Sequence, residues 1–205
     1  MVFRPHDLLW VSDNVDFCGL APWVKTNWSF TVPVVVRRDT HPQGFIPVGI
    51  RGDTRDRRAA GWVAPHQIVR CVTPEQLANP AHIAASPFAA MAPMKAALML
   101  TRTAWPWSWG ITGSGGFALA TGRAVLHPDS DLDLVIYAPS PLSRETLIYW
   151  QQALRQLPCR ADTQVETPWG AFALNEWLRD GRVLLKTNTG PCQTDNPWQE
   201  GEITQ

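Results

Sequence analysis

Four cysteines in 205 residues, Cys18, Cys71, Cys159 and Cys192, stand far apart, with no Cys-x-x-Cys pair and no clustered histidines. That scatter argues against a disulfide framework or a zinc site and suits a reducing, cytoplasmic setting. Net charge is missing too: 18 basic residues balance 18 acidic ones. No overall positive field therefore exists to hold a nucleic acid polymer. The one internal apolar candidate for a membrane span, Phe88–Leu100, is short and interrupted by Pro93 and Lys95. The opening stretch MVFRPHDLLWVSDN has no signal-peptide core, so no membrane attachment is expected. Internal repeats and low-complexity segments are absent. What is present is a composition 45% hydrophobic and 18% charged, that of a globular chain long enough for one substantial domain or two small ones. Eleven tryptophans and 18 prolines imply large flat apolar surfaces and stiff loops, most of them core and loop packing.

The densest chemistry lies in residues 107–136, WSWGITGSGGFALATGRAVLHPDSDLDLVI. An apolar-aromatic run ends in Gly113-Ser114-Gly115-Gly116, a short helical pattern follows, and a second apolar run carries Asp131 and Asp133. Side chains alternate across a strand, so both aspartates face one way, with Cα atoms about 6–7 Å apart. Leu132, Leu134 and Ile136 then face a core. Paired carboxylates repel unless a cation lies between them. Mg²⁺ (or Mn²⁺) is the hard ion that does this while keeping positions open for phosphates. The Gly-Ser turn offers N–H groups and a hydroxyl at a helix N-terminus, where phosphate binds well.

Each motif alone is common in loops. In the order strand, Gly-Ser turn, helix, acidic strand, they point to phosphoryl or nucleotidyl transfer. The segment resembles the DNA polymerase β-type nucleotidyltransferase superfamily, which implies a third carboxylate on a later strand. Asp162, in the strand-like run Cys159–Val165, is the candidate, with Glu166 as its alternative. Sixteen residues separate Ser114 from Asp131, so Arg123–Pro128 is expected to loop out.

Elsewhere, Thr31–Arg37 and Phe45–Ile50 read as strands rich in β-branched residues, with Pro47 favouring an edge position for the second. His6 beside Asp7 fits either an oriented base or a local cap. The charge run Arg51–Arg58 predicts a helix starting near Asp53 or Thr54, with Arg55 and Arg58 on one face and Arg51 at its entry. Those arginines suit phosphate oxygens; a solvated surface balanced by Asp53 and Asp56 is the alternative. A helix start is expected at Thr73-Pro74-Glu75-Gln76. Residues 78–87, ANPAHIAASP, read as a linker, and a helix follows to about Arg102 with a start or kink at Pro93. Leu147, Trp150, Leu154 and Leu157 recur at helical spacing within Pro141–Leu157. Lys186 emerges from the strand RVLLKT, placed either toward solvent or toward a leaving pyrophosphate. The fold class expected is α+β: an N-terminal α+β domain over residues 1–82 and a catalytic polymerase β-like nucleotidyltransferase domain over 83–205, a mixed sheet with helices.

Five motifs in order carry a narrower resemblance: RPHDLLW, IPVGIRGDTRDRRAA, WGITGSGGFALATG with DSDLDLVI, TPWGAFALNEW, and VLLKTNTGPCQTDNPW. Together they are similar to the malonate decarboxylase holo-acyl-carrier-protein synthases, also called phosphoribosyl-dephospho-CoA transferases, over nearly the whole chain. The resemblance implies transfer of a phosphoribosyl-dephospho-CoA group from triphosphoribosyl-dephospho-CoA to a serine of the decarboxylase's acyl carrier protein subunit, releasing pyrophosphate. It implies Asp131, Asp133 and Asp162 as metal and catalytic residues. Gly113, Ser114, Arg51, Arg55 and Arg58 are implied on the substrate, and Lys186, from its place at the strand end, is expected with them. Two alternatives stay open: a non-catalytic nucleotide- or carrier-binding module, and a plain nucleotidyltransferase acting on another hydroxyl.

Overall fold

Alternation of side chains builds the first sheet. Strand β3 (Ile46–Arg51) buries every second residue, and β4 (Arg58–Val63) does so toward its end. With β1 (Leu8–Val11), β2 (Val34–Val36) and β5 (Ile68–Val72), they form an antiparallel sheet in the order β4-β3-β2-β1-β5. The computed structural model describes residues 2–13, 15, 23–24, 28–52 and 57–199. Leu9, Val34, Val48 and Val63 are fully buried at the centre of this unit's core, which Ile50 and Val24 extend. Pro47 does not make β3 an edge strand: β2 and β4 flank it. The last β2–β3 pair is Val36 with Val48, so Pro47 lies just past the end of β2. There its missing N–H breaks no ladder bond, and its carbonyl accepts from the Arg37 N–H at 2.9 Å.

The contacts divide the chain into two units, Met1–Thr73 and Pro74–Gln205. The division falls ahead of residues 78–87, which are not a linker. Asn79 caps helix α2 (Pro80–Ala85), its Oδ1 accepting from the Ala81 and His82 N–H groups at 2.9 and 3.2 Å. Pro80 sits in the first turn, where no N–H is needed. A single turn, α1 (Pro74–Leu77), precedes it, begun by the expected Thr73-Pro74, and α3 (Ala92–Leu100) follows with Pro93 in its first turn.

The second unit is built on a six-stranded mixed sheet, order β11-β10-β9-β8-β7-β6. Its strands are β6 (Ser108–Ile111), β7 (Leu132–Tyr137), β8 (Ala161–Glu166), β9 (Ala171–Ala173), β10 (Val183–Thr187) and β11 (Gly190–Thr194). The β7–β8 pair is parallel and its other neighbours are antiparallel. A parallel pair needs a crossover, supplied here by α5 (Arg144–Leu154), which buries the expected Leu147, Trp150 and Leu154. Helices α4 (Gly113–Thr121) and α6 (Leu174–Asp180) complete this α+β fold. Residues 122–131 loop between α4 and β7.

The helix-covered face is held by aromatics. Trp150, 0% exposed, meets Trp105, Trp107 and Trp109 at ring separations of 4.6, 6.1 and 5.6 Å. Its indole N–H donates to Thr163 Oγ1 on β8 at 2.9 Å. Thr163 therefore faces the helices, and Asp162, next along the strand, faces the opposite side. No helix among the described residues is long and apolar enough to cross a membrane.

Candidate active site

Three carboxylates gather at the start of β7 and β8. Asp133 and Asp162 are direct partners across the parallel pair, so they share a face on strands about 4.8 Å apart. Asp131 lies just ahead of β7 rather than within it. Arg160 ties it to the same cluster: its Nη2 donates to Asp162 Oδ2 at 3.0 Å, and its Nε lies 4.0 Å from Asp131 Oδ2. The main chain is fixed as well, since the Leu132 N–H donates to the Arg160 carbonyl at 2.9 Å. The side chains of Asp131 and Asp162 are 45% and 42% exposed, open to a ligand from solvent.

Helix α4 presents its first turn to the same place. Gly113 adopts φ +60°, and a Cβ there would run into the Asp133 carboxylate. Only glycine gives both the left-handed backbone and that close approach. The Thr112 N–H donates to the Asp133 carbonyl at 2.9 Å, which extends the β6–β7 ladder to the helix start. Ser114, half-buried, occupies the first turn of α4, whose leading N–H groups have no acceptor inside the helix. Cys159 completes the surroundings. Its thiol is pushed above the usual range by burial first and by the Asp131 charge second, with a hydrogen bond to the Leu132 backbone opposing.

The donors offered are all carboxylate oxygens. Among the described residues no group of three His, Cys, Asp or Glu is arranged as a ready-made metal site. Mg²⁺ is commonly held by one or two carboxylates and completed by water and substrate phosphates. An open, oxygen-only cluster with Asp133 and Asp162 in register fits that mode of binding.

Within the second unit, Glu166 and Lys186 lie apart from this cluster. Glu166 is Asp162's neighbour four residues along β8, about 13 Å away at strand rise. It is buried and accepts a hydrogen bond from Gln164 Nε2 at 3.1 Å. Lys186 pairs with Ala171, which pairs with Glu166, so it sits two strands over and level with Glu166. That puts it about 16 Å from Asp162 by sheet spacing. In the N-terminal unit the expected helix is a correction: Arg58 opens strand β4 and pairs directly with Arg51 at the end of β3. The Gly52 N–H donates to the Arg57 carbonyl at 2.8 Å, closing a hairpin. Arg55, Asp53 and Asp56 lie outside the described residues. His6 and Asp7 serve as an anchor: the His6 N–H donates to the Val36 carbonyl at 3.0 Å, and Asp7 Oδ2 accepts from the Arg4 N–H at 2.9 Å.

Sequence reasoning passed over Arg160, which stands just ahead of β8, two residues before Asp162.

Comparison with known proteins covers both units. The family described as phosphoribosyl-dephospho-CoA transferase MdcG, N-terminal domain, matches residues 4–74, and the C-terminal domain of the same family matches residues 76–197. A phosphoribosyl-dephospho-CoA transferase of Klebsiella pneumoniae (strain 342) is 57% identical over 200 residues, 97% of this chain and 98% of the relative. One from Azotobacter vinelandii is 40% identical over 96% of this chain and 95% of its own. One from Pseudomonas aeruginosa is 39% identical over 98% and 96%. No solved structure matches the chain.

Proposed function

The chain belongs to the phosphoribosyl-dephospho-CoA transferase family and is an enzyme of the transferase class; from that premise we propose that it carries out a nucleotidyltransferase-type displacement at the Asp131, Asp133 and Asp162 cluster. The donor is triphosphoribosyl-dephospho-CoA, and the acceptor is a serine of the acyl carrier protein subunit of malonate decarboxylase. The serine oxygen forms a bond to the innermost phosphorus of the triphosphate, the bond to pyrophosphate breaks, and the serine proton leaves to water. The observation that carries this reading is the direct pairing of Asp133 with Asp162 across β7 and β8, with the first turn of α4 against Asp133.

In this reading Asp131 and Asp133 hold a divalent cation, Mg²⁺ or Mn²⁺, and Asp162 joins them. Such an ion supplies charge neutralisation on the phosphates and a more acidic incoming hydroxyl. The chain's own residues do the positioning. Gly113 and Ser114 hold outer phosphate oxygens through first-turn N–H groups and the Ser114 hydroxyl. Arg51 and Arg58 are assigned to phosphates of the long substrate. Sheet spacing puts Lys186 about 16 Å and Glu166 about 13 Å from Asp162, which favours Asp162 as the third carboxylate in this reading.

The attacking nucleophile belongs to the carrier. No serine of this chain sits in a Gly-x-Ser-x-Gly turn, and an in-line displacement needs no covalent enzyme intermediate. The test offers the purified protein labelled triphosphoribosyl-dephospho-CoA or labelled ATP, each with and without the carrier subunit. Label on the carrier from the first donor alone is the expected result. Label from ATP instead would replace the proposal with plain nucleotidyl transfer. A stable adduct on the enzyme, passed on when carrier is added, would overturn the direct mechanism.

A further inference from the structure

The interaction left unexplained at the site is the one made by Arg160. Its guanidinium donates through Nη2 to Asp162 on β8 at 3.0 Å, and its Nε stands 4.0 Å from Asp131, ahead of β7, as a longer ion pair. The side chain is 72% exposed, so these charges, rather than packing, hold its tip.

A divalent cation bound to the same carboxylates would lie within a few ångströms of this guanidinium, and two positive charges so close repel. Exposed ion pairs are weak, so the guanidinium is a hold that a doubly charged ion can break. Once released, an arginine fork at the edge of a phosphate site is well suited to phosphate oxygens, which it binds in pairs of parallel hydrogen bonds.

Resting on the reading of Asp131, Asp133 and Asp162 as the cation-binding carboxylates, we propose that Arg160 is the internal counter-ion of this site. It competes with the divalent ion for Asp131 and Asp162 and, when displaced, carries its charge onto the substrate's phosphates. The ion and Arg160 thus exchange partners: the protein alone binds metal weakly, and metal and triphosphate favour each other's binding.

The two halves of the proposal predict effects of opposite sign, which a merely structural role would not produce. Mn²⁺ binding to the full chain without substrate is followed by the loss of the free-ion electron paramagnetic resonance signal. Arg160→Ala is expected to bind Mn²⁺ about two- to fivefold more tightly than wild type, the range set by an exposed ion pair. The same variant should transfer label to the carrier at least about tenfold more slowly, through loss of a charge-assisted phosphate contact. Arg160→Lys, which keeps the charge, should restore wild-type Mn²⁺ affinity and part of the transfer rate. Arg155→Ala is the control for general charge loss, since Arg155 contacts Gln151 instead, and it should match wild type in both assays. Equal or weaker Mn²⁺ binding by Arg160→Ala, or an undiminished transfer rate, overturns the proposal. So does a gain in Mn²⁺ affinity of equal size in Arg155→Ala. Asp131→Asn separates the two levels: if it binds Mn²⁺ as wild type does, the assignment of the carboxylates fails, whatever Arg160 does.

Discussion

Adding a single methyl group at Gly113 tests whether the start of α4 and the Asp133 carboxylate form one site. Alanine at φ +60° pays the left-handed backbone cost, about 1–2 kcal/mol. Its Cβ also runs into Asp133 Oδ2, so the carboxylate, the helix start or both must move. A misplacement of about 1 Å at a reacting centre costs about 10²-fold in rate. The first term is measured separately at Gly122 and Gly181, with φ +70° and +65°, where an added methyl would meet nothing within 4 Å. Gly122→Ala and Gly181→Ala should therefore lose about 1–2 kcal/mol in urea unfolding and Gly113→Ala at least as much, whereas only Gly113→Ala should lose about 10²-fold in kcat/KM for carrier labelling. A Gly113→Ala enzyme within a few-fold of wild type would refute the contact. Equal losses of activity in Gly122→Ala and Gly181→Ala would show that backbone strain alone explains the effect.

Asp131→Asn and Asp133→Asn keep side-chain shape but remove charge, and each should lower turnover at least about 10²-fold with unfolding stability unchanged or raised; carrier labelling and thermal melts report both. Asp162→Asn should abolish transfer yet leave triphosphate binding mostly intact by calorimetry, and an active Asp162→Asn beside an inactive Glu166→Gln would reverse the choice between them. Arg58→Ala should weaken binding of the phosphorylated substrate by about 1–3 kcal/mol, against about 0.5 kcal/mol or less for a solvated surface residue, again by calorimetry. Cys159 gives a sign test: only the thiolate reacts, and the Asp131 charge holds the thiol pKa up. Asp131→Asn should lower that pKa, so iodoacetamide labels Cys159 faster at about pH 8, near the ordinary thiol pKa, as followed by peptide mass spectrometry; an unchanged or slower rate would contradict the coupling.

The carboxylate cluster was legible because alternation on a strand is a local rule: Asp133 away from Leu132 and Leu134, Asp162 away from Thr163. Their pairing was not, since nothing in the sequence states that β7 and β8 run parallel with Asp133 opposite Asp162. Arg51–Arg58 suggests a helix surface because charge runs suit one. The period-2 burial of Gly61 and Val63 in β4 is the competing signal. Residues 78–87 resemble a linker because Pro80 and Asn79 read as breakers, although both are favoured where a helix begins. Pro47 suggests an edge because proline removes a ladder donor, and only the short reach of β2 shows that no donor is needed there. Chain order does not say how far Lys186 stands from the carboxylates; the sheet order sets it two strands from Asp162.

The hydrogen bond from the Trp150 indole to Thr163 has a consequence for the acidic site on the far side of the sheet. Side chains on β8 alternate, so a slip of one residue would turn Asp162 inward toward the tryptophans and bring Thr163 outward beside Asp133. The pattern of β8, ADTQVE, already opposes that slip, since it would turn Asp162, Gln164 and Glu166 toward the helices in place of Ala161, Thr163 and Val165. The buried bond to Trp150, itself packed among three other indoles, adds a specific partner that only Thr163 can supply. A tryptophan with no exposed surface thus acts as an indexing pin for the candidate site. An insertion or deletion in the turn at residues 155–160 is governed by the same pin: the chain must absorb the change within the turn or give up the alignment of Asp133 with Asp162.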